Sequence, residues 1–315
     1  MNEREIILGI DTSNYTTSVA LMYDDGELIA NIKRPLPVKP GERGLRQSDA
    51  VFAHVKNIPS AMDEAREYLA GRAVSVVGVS ERPRNLEGSY MPCFLSGVAV
   101  AEGISSTLGV PIYKFSHQCG HIMAALYSSG KEELMSGRFA AFHVSGGTTE
   151  LLLVRPDERG FYAEKVGGTR DLNAGQIIDR IGVFLGMPFP AGPYVEQAAI
   201  AYSGKISSKK VSLDGTYANL SGLENMAEKM YKDSGDVNMT SRFVLEYIGN
   251  AICGMCESFI SQYGEMPFVF AGGVMCNSII KAKLKEKFDA NFAEPMMSAD
   301  NAVGIAELAR ILHTK

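Results

Sequence analysis

Apolar positions along the chain follow one order of elements, and this order occurs twice. Each half begins with three short apolar or alternating segments typical of strands and continues with helix, strand, helix, strand and helix patterns. In the first half we predict strands at 5–11, 17–23, 27–33, 74–79 and 111–115, and helices at 48–69, 92–108 and 117–127. In the second half we predict strands at 138–144, 150–155, 160–166, 268–270 and 290–294, and helices at 173–185, 194–202, 240–263, 277–288 and 300–313.

This duplication predicts an α/β fold of two lobes, each with a mixed sheet, and a central cleft between them. The layout resembles the superfamily of actin, Hsp70 and the sugar kinases (ASKHA). We place the N-terminal lobe at residues 1–125 and the C-terminal lobe at 126–315, with the last helix a candidate for packing back on the N-terminal lobe. Residues 204–236 are polar and irregular, which indicates an insertion.

The overall charge restricts how the chain can bind nucleic acid. The formal net charge is −5, so RNA binding requires a local basic patch or a basic partner. No apolar run approaches the roughly 18–20 residues of a membrane span, and the first residues lack a signal-peptide pattern. The five cysteines form no regular framework, and Cys253 and Cys256 read as core residues of a long helix. We therefore expect a cytoplasmic protein.

A glycine-rich turn separates two apolar runs at the start of the second half. The runs at 139–144 and 150–154 read as strands of a hairpin, joined by Ser145, Gly146, Gly147, Thr148 and Thr149. Paired glycines expose backbone N–H groups and the flanking hydroxyls add donors, so this turn suits a phosphate. An ordinary hairpin turn explains the same residues equally well.

Two further turns follow predicted strands. The segment 11–13 (Asp-Thr-Ser) ends the first strand, where a carboxylate and two hydroxyls can orient a phosphate, a metal or a water. A plain strand-to-turn Asp is the alternative. Gly272 and Gly273 follow a buried strand and Asn277 opens a helix, so an anion or a nucleoside can approach the helix N-terminus. A helix start capped by Asn277 is the alternative.

Two histidines form a candidate metal pair. His117 and His121 are four residues apart in a predicted helix, so both imidazoles lie on one face and can bind one metal ion. The pattern lacks the Glu of a zinc-protease motif, and two helical histidines are often surface or core residues. Asp300, at the start of the last predicted helix, can supply a third ligand. His54 and His143 stand alone and read as structural residues.

Two other positions suit a nucleoside. Asp179 is a charged residue on an otherwise apolar helix, so it either faces the cleft and binds ribose hydroxyls or is an exposed Asp beside Arg180. Gly192 lies in a stiff Phe-Pro-Ala-Gly-Pro loop at 189–193, where a missing side chain lets a ligand approach. A simple turn is the alternative for Gly192.

The ordered set of motifs resembles the TsaD family, the tRNA threonylcarbamoyladenosine transferases once labelled O-sialoglycoprotein endopeptidases. The resemblance runs nearly from end to end of the chain. It rests on Gly-Ile-Asp-Thr-Ser at 9–13, the histidines at 117 and 121, Val-Ser-Gly-Gly-Thr at 144–148, Ala-Gly through Asp at 174–179, Pro-Ala-Gly-Pro at 190–193, Leu-Ser-Gly-Leu at 220–223, the Gly-Gly turn through Asn at 271–277, and Asp-Asn at 300–301.

The resemblance implies a role for each matching residue. The family's metal ligands, usually assigned to iron(II) or zinc, match His117, His121 and Asp300. The segment that contacts the threonylcarbamoyl-adenylate and its phosphate matches Val144, Ser145, Gly146, Gly147 and Thr148. The nucleoside-binding positions match Asp179, Gly192 and Asn277, with Gly272 and Gly273 in the adjoining turn. We place Asp11 and Ser145 at the reacting centre, although Ser145 lacks the partnered base of a covalent nucleophile.

The family transfers a threonylcarbamoyl group from its adenylate to the exocyclic amine of the adenosine beside the tRNA anticodon, and AMP is released. The resemblance implies the same reaction here, with one divalent metal ion and the adenylate. It also implies tRNA and proteins like TsaB, TsaE and TsaC as partners. The small residues at 96–101 would permit close helix packing, so we expect a homo- or heterodimer through the N-terminal lobe.

Several segments depart from the family pattern. Asn14 and Tyr15 replace an Asp-Glu pair, the segment from Arg82 to Tyr90 lacks a Gly-Pro-Gly turn, and Ser48 and Thr148 replace other residues. Two alternatives therefore stay open: a divergent paralogue that transfers a carbamoyl-type group to another acceptor, and a nucleotide-binding regulator or scaffold without turnover. An endopeptidase is poorly supported, because the histidine motif offers no Glu as a general base.

Overall fold

The computed structural model describes residues 4–13, 15–37, 45–207 and 209–315, and the chain divides into two compact units. Unit 1 comprises residues 1–137, 155–163 and 296–315, and unit 2 comprises residues 138–154 and 164–295. The units thus divide after Gly137, and two later segments belong to unit 1. The domain boundary expected after residue 125 stays a prediction.

Every strand and helix predicted from the sequence is present, in the predicted order. The strands are β1 (Ile6–Ser13), β2 (Thr16–Tyr23), β3 (Leu28–Pro35), β4 (Val76–Arg82), β5 (Ile112–Ser116), β6 (Phe139–Val144), β7 (Thr149–Asp157), β8 (Gly160–Thr169), β9 (Ser212–Asp214), β10 (Tyr217–Asn219), β11 (Phe268–Ala271) and β12 (Ala290–Phe292). The helices are α1 (Gln47–Leu69), α2 (Phe94–Leu108), α3 (His117–Ser129), α4 (Ala174–Phe184), α5 (Gly192–Ala201), α6 (Ser221–Ser234), α7 (Val237–Tyr263), α8 (Ser278–Lys287), α9 (Pro295–Ser298) and α10 (Val303–His313).

The prediction of an irregular insertion at 204–236 is wrong. Strands β9 and β10 pair antiparallel, and β10 pairs parallel with β8, so the segment extends the sheet of unit 2. Helix α6 buries Leu223 and Ala227, which lie four residues apart among charged neighbours. Two buried positions are too few to reveal a helical pattern, and strands of three residues are too short for a visible alternation.

The five-stranded sheet of unit 1 has the order β3-β2-β1-β4-β5 and carries helices on both faces. Leu8, Ile10 and Val79 pack in a cluster with residues of α1 and α2. On the other face, Gly9 lies against the start of α10. A Cβ atom at Gly9 would be 2.6 Å from the carbonyl oxygen of Ala302, so only glycine fits here. Helix α10 also packs on α3. The end of the chain therefore covers the same sheet as its beginning.

The seven-stranded sheet of unit 2 has the order β12-β11-β6-β7-β8-β10-β9. Phe142 and Phe270 stack on neighbouring strands, with ring centroids 5.3 Å apart. Helix α7 is long and apolar enough to cross a membrane by length and composition, but 67% of its apolar window is buried. Cys253 and Cys256 lie buried on this helix, and burial raises the pKa of the Cys253 thiol to about 11. Helix α7 thus packs as a core helix of unit 2.

Candidate metal centre and nucleotide-binding turns

Three predicted site residues meet in unit 1. His117 is the first residue of α3, and its ring centroid lies 4.4 Å from that of His121, one helical turn further on. Nε2 of His117 lies 3.6 Å from Oδ1 of Asp300, and Nε2 of His121 lies 3.3 Å from the same oxygen. The three candidate ligand atoms lie within 4.8 Å of one another. The structure therefore brings together two nitrogens and one oxygen that can hold one ion.

Asp11 contacts Nδ1 of His117, the ring nitrogen that is not directed towards His121 and Asp300. Its side chain is fully buried, and Oδ1 lies 2.9 Å from Nδ1 of His117. The hydroxyl of Ser80 donates to this oxygen, and the backbone N–H of Ser13 donates to Oδ2 at 3.2 Å. Burial by itself would raise the pKa of Asp11, but the charge of His117 and the three hydrogen bonds hold it below its ordinary value. Asp11 is therefore an anion that faces His117 and not solvent.

The donor set fits a divalent metal. Burial by itself would lower the pKa of His117, but the charge and hydrogen bond of Asp11 raise it to about 9 in the metal-free protein. The contact at Nδ1 directs Nε2 towards His121 and Asp300, which is how carboxylates commonly orient metal-bound histidines. Two imidazoles and a carboxylate suit zinc or iron(II), and three protein ligands leave a position for another ligand.

Asp300 lies in the connection between α9 and α10. We predicted a helix from residue 300, but α10 begins only at Val303. The Asn301 side chain fixes the connection: its Oδ1 accepts from the N–H of Val303, and its Nδ2 donates to the carbonyls of Met297 and Ala299. Asn side chains compete for nearby backbone groups in this way, which explains the late start of the helix.

The predicted glycine-rich turn joins β6 and β7 in unit 2. Val144 pairs with Thr149, and the N–H of Ser145 donates to the carbonyl of Thr148 at 2.7 Å. Gly146 and Gly147 are exposed at the tip of the turn. The hairpin is therefore present as predicted, and the backbone of its tip is open to a ligand.

Helix α4 starts directly against this turn. The N–H of Ala174 donates to Oγ1 of Thr149 at 2.9 Å, and the N–H of Gly175 donates to the carbonyl of Ser145 at 3.2 Å. A Cβ atom at Gly175 would lie 2.6 Å from the backbone of Ser145 and of Gly146. Only glycine therefore lets the positive end of α4 come this close to the turn.

Asp179 links the turn to the loop before α5. Its Oδ1 accepts from the N–H of Ala191 at 2.8 Å, and its Oδ2 lies 4.0 Å from the Cβ position of Gly146. Burial raises the pKa of Asp179, although the N–H groups of Ala191 and Gly192 oppose the shift. Arg180 instead pairs with Glu224 at 3.1 Å. Asp179 is therefore placed between two of the predicted ligand segments.

The second Gly-Gly turn lies against the first. Gly272 has a φ of +97°, and a Cβ atom there would lie 2.3 Å from the carbonyl oxygen of Val144. Gly273 is exposed, and a Cβ atom there would meet nothing within 4 Å. The two turns thus form one surface of unit 2, and Gly272 is required for their contact.

Asn277 caps α8. Its buried Oδ1 accepts from the N–H groups of Ile279 and Ile280 at 3.2 and 3.1 Å, so the capping alternative is confirmed for this atom. The next residue, Ser278, donates its N–H and hydroxyl to Oε1 of Glu196 on α5, at 2.6 and 2.5 Å. These contacts join the start of α8 to the helix that begins at Gly192.

The predicted site residues thus form two groups, one in each unit. Sequence reasoning assigned no site role to Ser80, Gly175 or Glu196, although Gly175 belongs to the motif at 174–179. Ser80 lies in β4, which pairs parallel with β1, and that pairing could have placed its hydroxyl beside Asp11. No local sequence pattern indicates the role of Glu196, because its partner Ser278 lies 82 residues away. Asn14 lies outside the described residues.

Comparisons with known proteins identify relatives over nearly the whole chain. The sequence profile of the TsaD family, described as tRNA N6-adenosine threonylcarbamoyltransferase, matches residues 34–307. A protein of that name from Kosmotoga olearia is 29% identical, over 96% of this chain and 92% of its own length. A Streptococcus suis protein is 28% identical over 99% and 93%, and a Methanopyrus kandleri protein is 24% identical over 98% and 88%.

Solved structures share the fold at low sequence identity. Full-length HypF in its phosphate- and nucleotide-bound form superposes with a TM-score of 0.63 at 12% identity, over 99% of this chain and 47% of HypF. This chain thus spans about half the length of HypF. A ROK family glucokinase from Streptomyces griseus gives a TM-score of 0.52 at 13% identity, over 98% of this chain and 100% of its own. These likenesses confirm the predicted ASKHA-type α/β fold.

Proposed function

The chain belongs to the TsaD family, and from this premise we propose that it transfers a threonylcarbamoyl group from its adenylate to the N6 amine of the adenosine adjacent to the tRNA anticodon. AMP is the leaving group. The observation that carries the proposal is the centre of His117, His121 and Asp300, with Asp11 fixed behind His117 at 2.9 Å. A protein that only binds nucleotide does not need an oriented ligand set of this kind.

The metal centre has a defined task in this proposal. His117, His121 and Asp300 would hold an iron(II) or zinc ion, which would act as a Lewis acid and stabilise negative charge on the donor. Asp11 is a positioning residue, because its only approach to the centre is through Nδ1 of His117. The two nearby donors, Ser80 and the N–H of Ser13, keep Asp11 in place and ionised.

In this proposal, the glycine-rich turns of unit 2 bind the adenylate. The exposed backbone of Gly146 and Gly147 provides N–H groups for the phosphate, with Ser145 and Thr148 beside it, and such donors stabilise charge on a leaving group. Oδ1 of Asp179 holds the loop before α5, which leaves Oδ2 for a ribose hydroxyl. Ser145 acts as a donor and not as a nucleophile. Gly192, Gly273 and Asn277 border the nucleoside.

The proposal also includes protein partners and tRNA. Phe52 and Val55 on α1 and Leu95 on α2 are 66%, 57% and 52% exposed, and such an apolar surface suits a TsaB-like protein. Among the small residues at 96–101, Ser96, Gly97 and Ala101 are buried and do not contribute to this surface; a Cβ atom at Gly97 would lie 2.7 Å from Oγ1 of Thr12. With a net charge of −5, the chain gains from a partner that helps to hold tRNA. TsaE-like and TsaC-like proteins and a cytoplasmic setting belong to the same proposal.

The test is transfer of labelled threonine to unmodified tRNA. The mixture contains the purified protein, ATP, bicarbonate, the adenylate-forming enzyme and the host's TsaB-like and TsaE-like proteins, beside an authentic TsaD enzyme. We expect label in tRNA with the wild type, loss of label with His117→Ala, and retention with the matched variant His313→Ala, whose partly buried imidazole contacts Glu5.

Absence of label beside a working TsaD control contradicts the proposal. Tight AMP binding in that experiment would then favour the regulator. Label in a small molecule or protein, but not in tRNA, would favour a paralogue with another acceptor.

A further inference from the structure

A cavity of about 400 Å³ lies in unit 1 and has no part in the proposed transfer. None of the candidate metal ligands lines it. Its floor consists of Phe115, Phe161 and Cys119, which are at most 5% exposed. Arg82, Asn85 and Glu87 line one side, and Asp157 and Arg159 line another. An apolar floor with a few polar groups is typical of a small-molecule site.

Arg82 lines this cavity with a side chain that is 34% exposed. Its Nε is buried, and it has no hydrogen-bond partner among the residues that the structure describes. Its ion pair with Glu81 is long, with 3.7 Å between Nη2 and Oε1. Because that pair is long, the guanidinium group of Arg82 can still pair with an anionic group such as a carboxylate.

The walls carry both signs of charge. Glu87 and Asp157 face the same space as Arg82 and Arg159, and both Arg82 and Asp157 act electrostatically on the Cys119 thiol at the floor. Lys114 also lines the cavity, but its ammonium group is already paired with Glu102 at 2.5 Å. Two arginines and two carboxylates suit a small ligand that carries one positive and one negative group.

We propose that this cavity binds a free α-amino acid with an apolar side chain. The carboxylate pairs with the guanidinium group of Arg82, the ammonium group faces Asp157 and Glu87, and the side chain lies on the Phe115–Phe161 floor. Cys119 lies on α3 between His117 and His121, so the occupant contacts the helix that carries the metal ligands.

The test is calorimetric titration of the full-length protein with three probes of similar carbon skeleton, without ATP or tRNA. We expect L-leucine to bind with a Kd of about 1 mM or lower. Isocaproate, which lacks the amine, and isoamylamine, which lacks the carboxylate, bind at least about tenfold more weakly. Arg82→Gln weakens leucine binding at least about tenfold, whereas Arg84→Gln, outside the cavity, leaves it unchanged.

A second variant keeps the test decisive if Arg82→Gln fails to fold. Asp157 is exposed, so Glu87→Gln/Asp157→Asn is expected to fold and to weaken leucine but not isocaproate. Isocaproate binding as tightly as leucine, leucine binding that is unchanged in the cavity variants, or no saturable binding of leucine would each overturn the proposal. A failed transfer assay does not affect this test, since no transfer substrate is present.

Discussion

At the scale of single residues, the metal centre depends on Asp11, a carboxylate that contacts the candidate ligand His117 and is not itself a candidate ligand. Asp11 contacts Nδ1 of His117, and its burial makes that contact strong because little water competes for it. A single residue is also decisive in unit 2, where Gly272 allows the second Gly-Gly turn to contact the turn after Val144.

Asp11→Asn should weaken metal binding about 10- to 100-fold, because it removes the charge that orients the His117 imidazole. Zinc titration against a competing chelator measures the effect. Asp49→Asn, in the first turn of α1, is the control and should change nothing. Equal zinc affinity of Asp11→Asn and wild type would show that Asp11 does not position the ligand.

Gly272→Ala should destabilise unit 2 by about 2 kcal/mol or more, because the new Cβ would meet the Val144 carbonyl and the φ of +97° is strained. Gly273→Ala is the matched control and should stay within about 0.5 kcal/mol. Urea unfolding gives the free energies, and AMP titration shows whether the nucleotide surface is lost. Similar losses in both variants would refute the role of the turn contact.

At the scale of elements, the metal centre requires that α10 packs closely on α3. A Cβ atom at Gly304 would lie 1.9 Å from the carbonyl oxygen of Gly120, so the two helices meet backbone to backbone. Asp300 precedes α10, and both histidines belong to α3. The distance between these helices therefore sets the distance between the ligands.

Gly304→Ala should push α10 away from α3 and reduce zinc affinity at least about tenfold without removing a ligand. Gly103→Ala on α2 is the control, since a Cβ atom there meets nothing within 4 Å. The chelator titration reports the affinity, and circular dichroism checks that helix content is kept. Unchanged zinc affinity in a folded Gly304→Ala protein would contradict this dependence.

Helices α7 and α8 are joined by a half-buried ion network that makes stability depend on pH. Oε1 of Glu246 accepts from Nη2 of Arg242 at 2.7 Å, and its other oxygen accepts from Lys283. Burial by itself would raise the pKa of Glu246, but these hydrogen bonds and charges hold it below the ordinary 4.5. Because the folded-state pKa is lowered, the stabilisation is present above about pH 4.5 and is lost as the pH falls through the folded value.

Glu246→Gln should therefore cost about 1 kcal/mol at neutral pH, and the difference from wild type should vanish in acid. Urea unfolding at a series of pH values measures it. Glu228→Gln, whose pair with Lys232 is more exposed, should show a smaller effect. A difference that stays constant across the pH range would exclude a charge-dependent cause.

At the scale of the whole molecule, the chain returns to its first unit at its end. Residues 296–315 belong to unit 1, where α10 covers the sheet face that contains Gly9 and Gly78. The metal centre thus joins residues from β1, α3 and the last segment. Unit 2 keeps its own core, in which Phe142, Phe259 and Phe268 are buried.

Truncation after Pro295 should abolish amide protection in β1 and β4, because their face against α10 becomes exposed, while β6 and β11 stay protected. Hydrogen exchange read by mass spectrometry measures each strand. Asp300→Ala is the control, since it removes a ligand and keeps α10. Full protection of β1 in the truncated protein would show that unit 1 folds without its last helix.

The sequence by itself determined the order of elements, the glycine turns and the pair of histidines. These features are local: strand alternation, the four-residue spacing of His117 and His121, and Gly-Gly pairs can be read within a few residues. Their order was also enough to indicate the TsaD family, which the comparisons confirm. The start of α10 and the short elements at 212–234 were missed where polar side chains dominate the local pattern.

Only the tertiary structure decided what those residues contact. Asp11 and His117 are 106 residues apart, and Ser278 and Glu196 are 82 apart, so no local pattern can reveal either pair. The cavity beside Cys119 likewise needs the ends of β4 and β5 and the tip between β7 and β8 to close around one space. Such contacts depend on how strands and helices pack, and packing is a property of the folded chain as a whole.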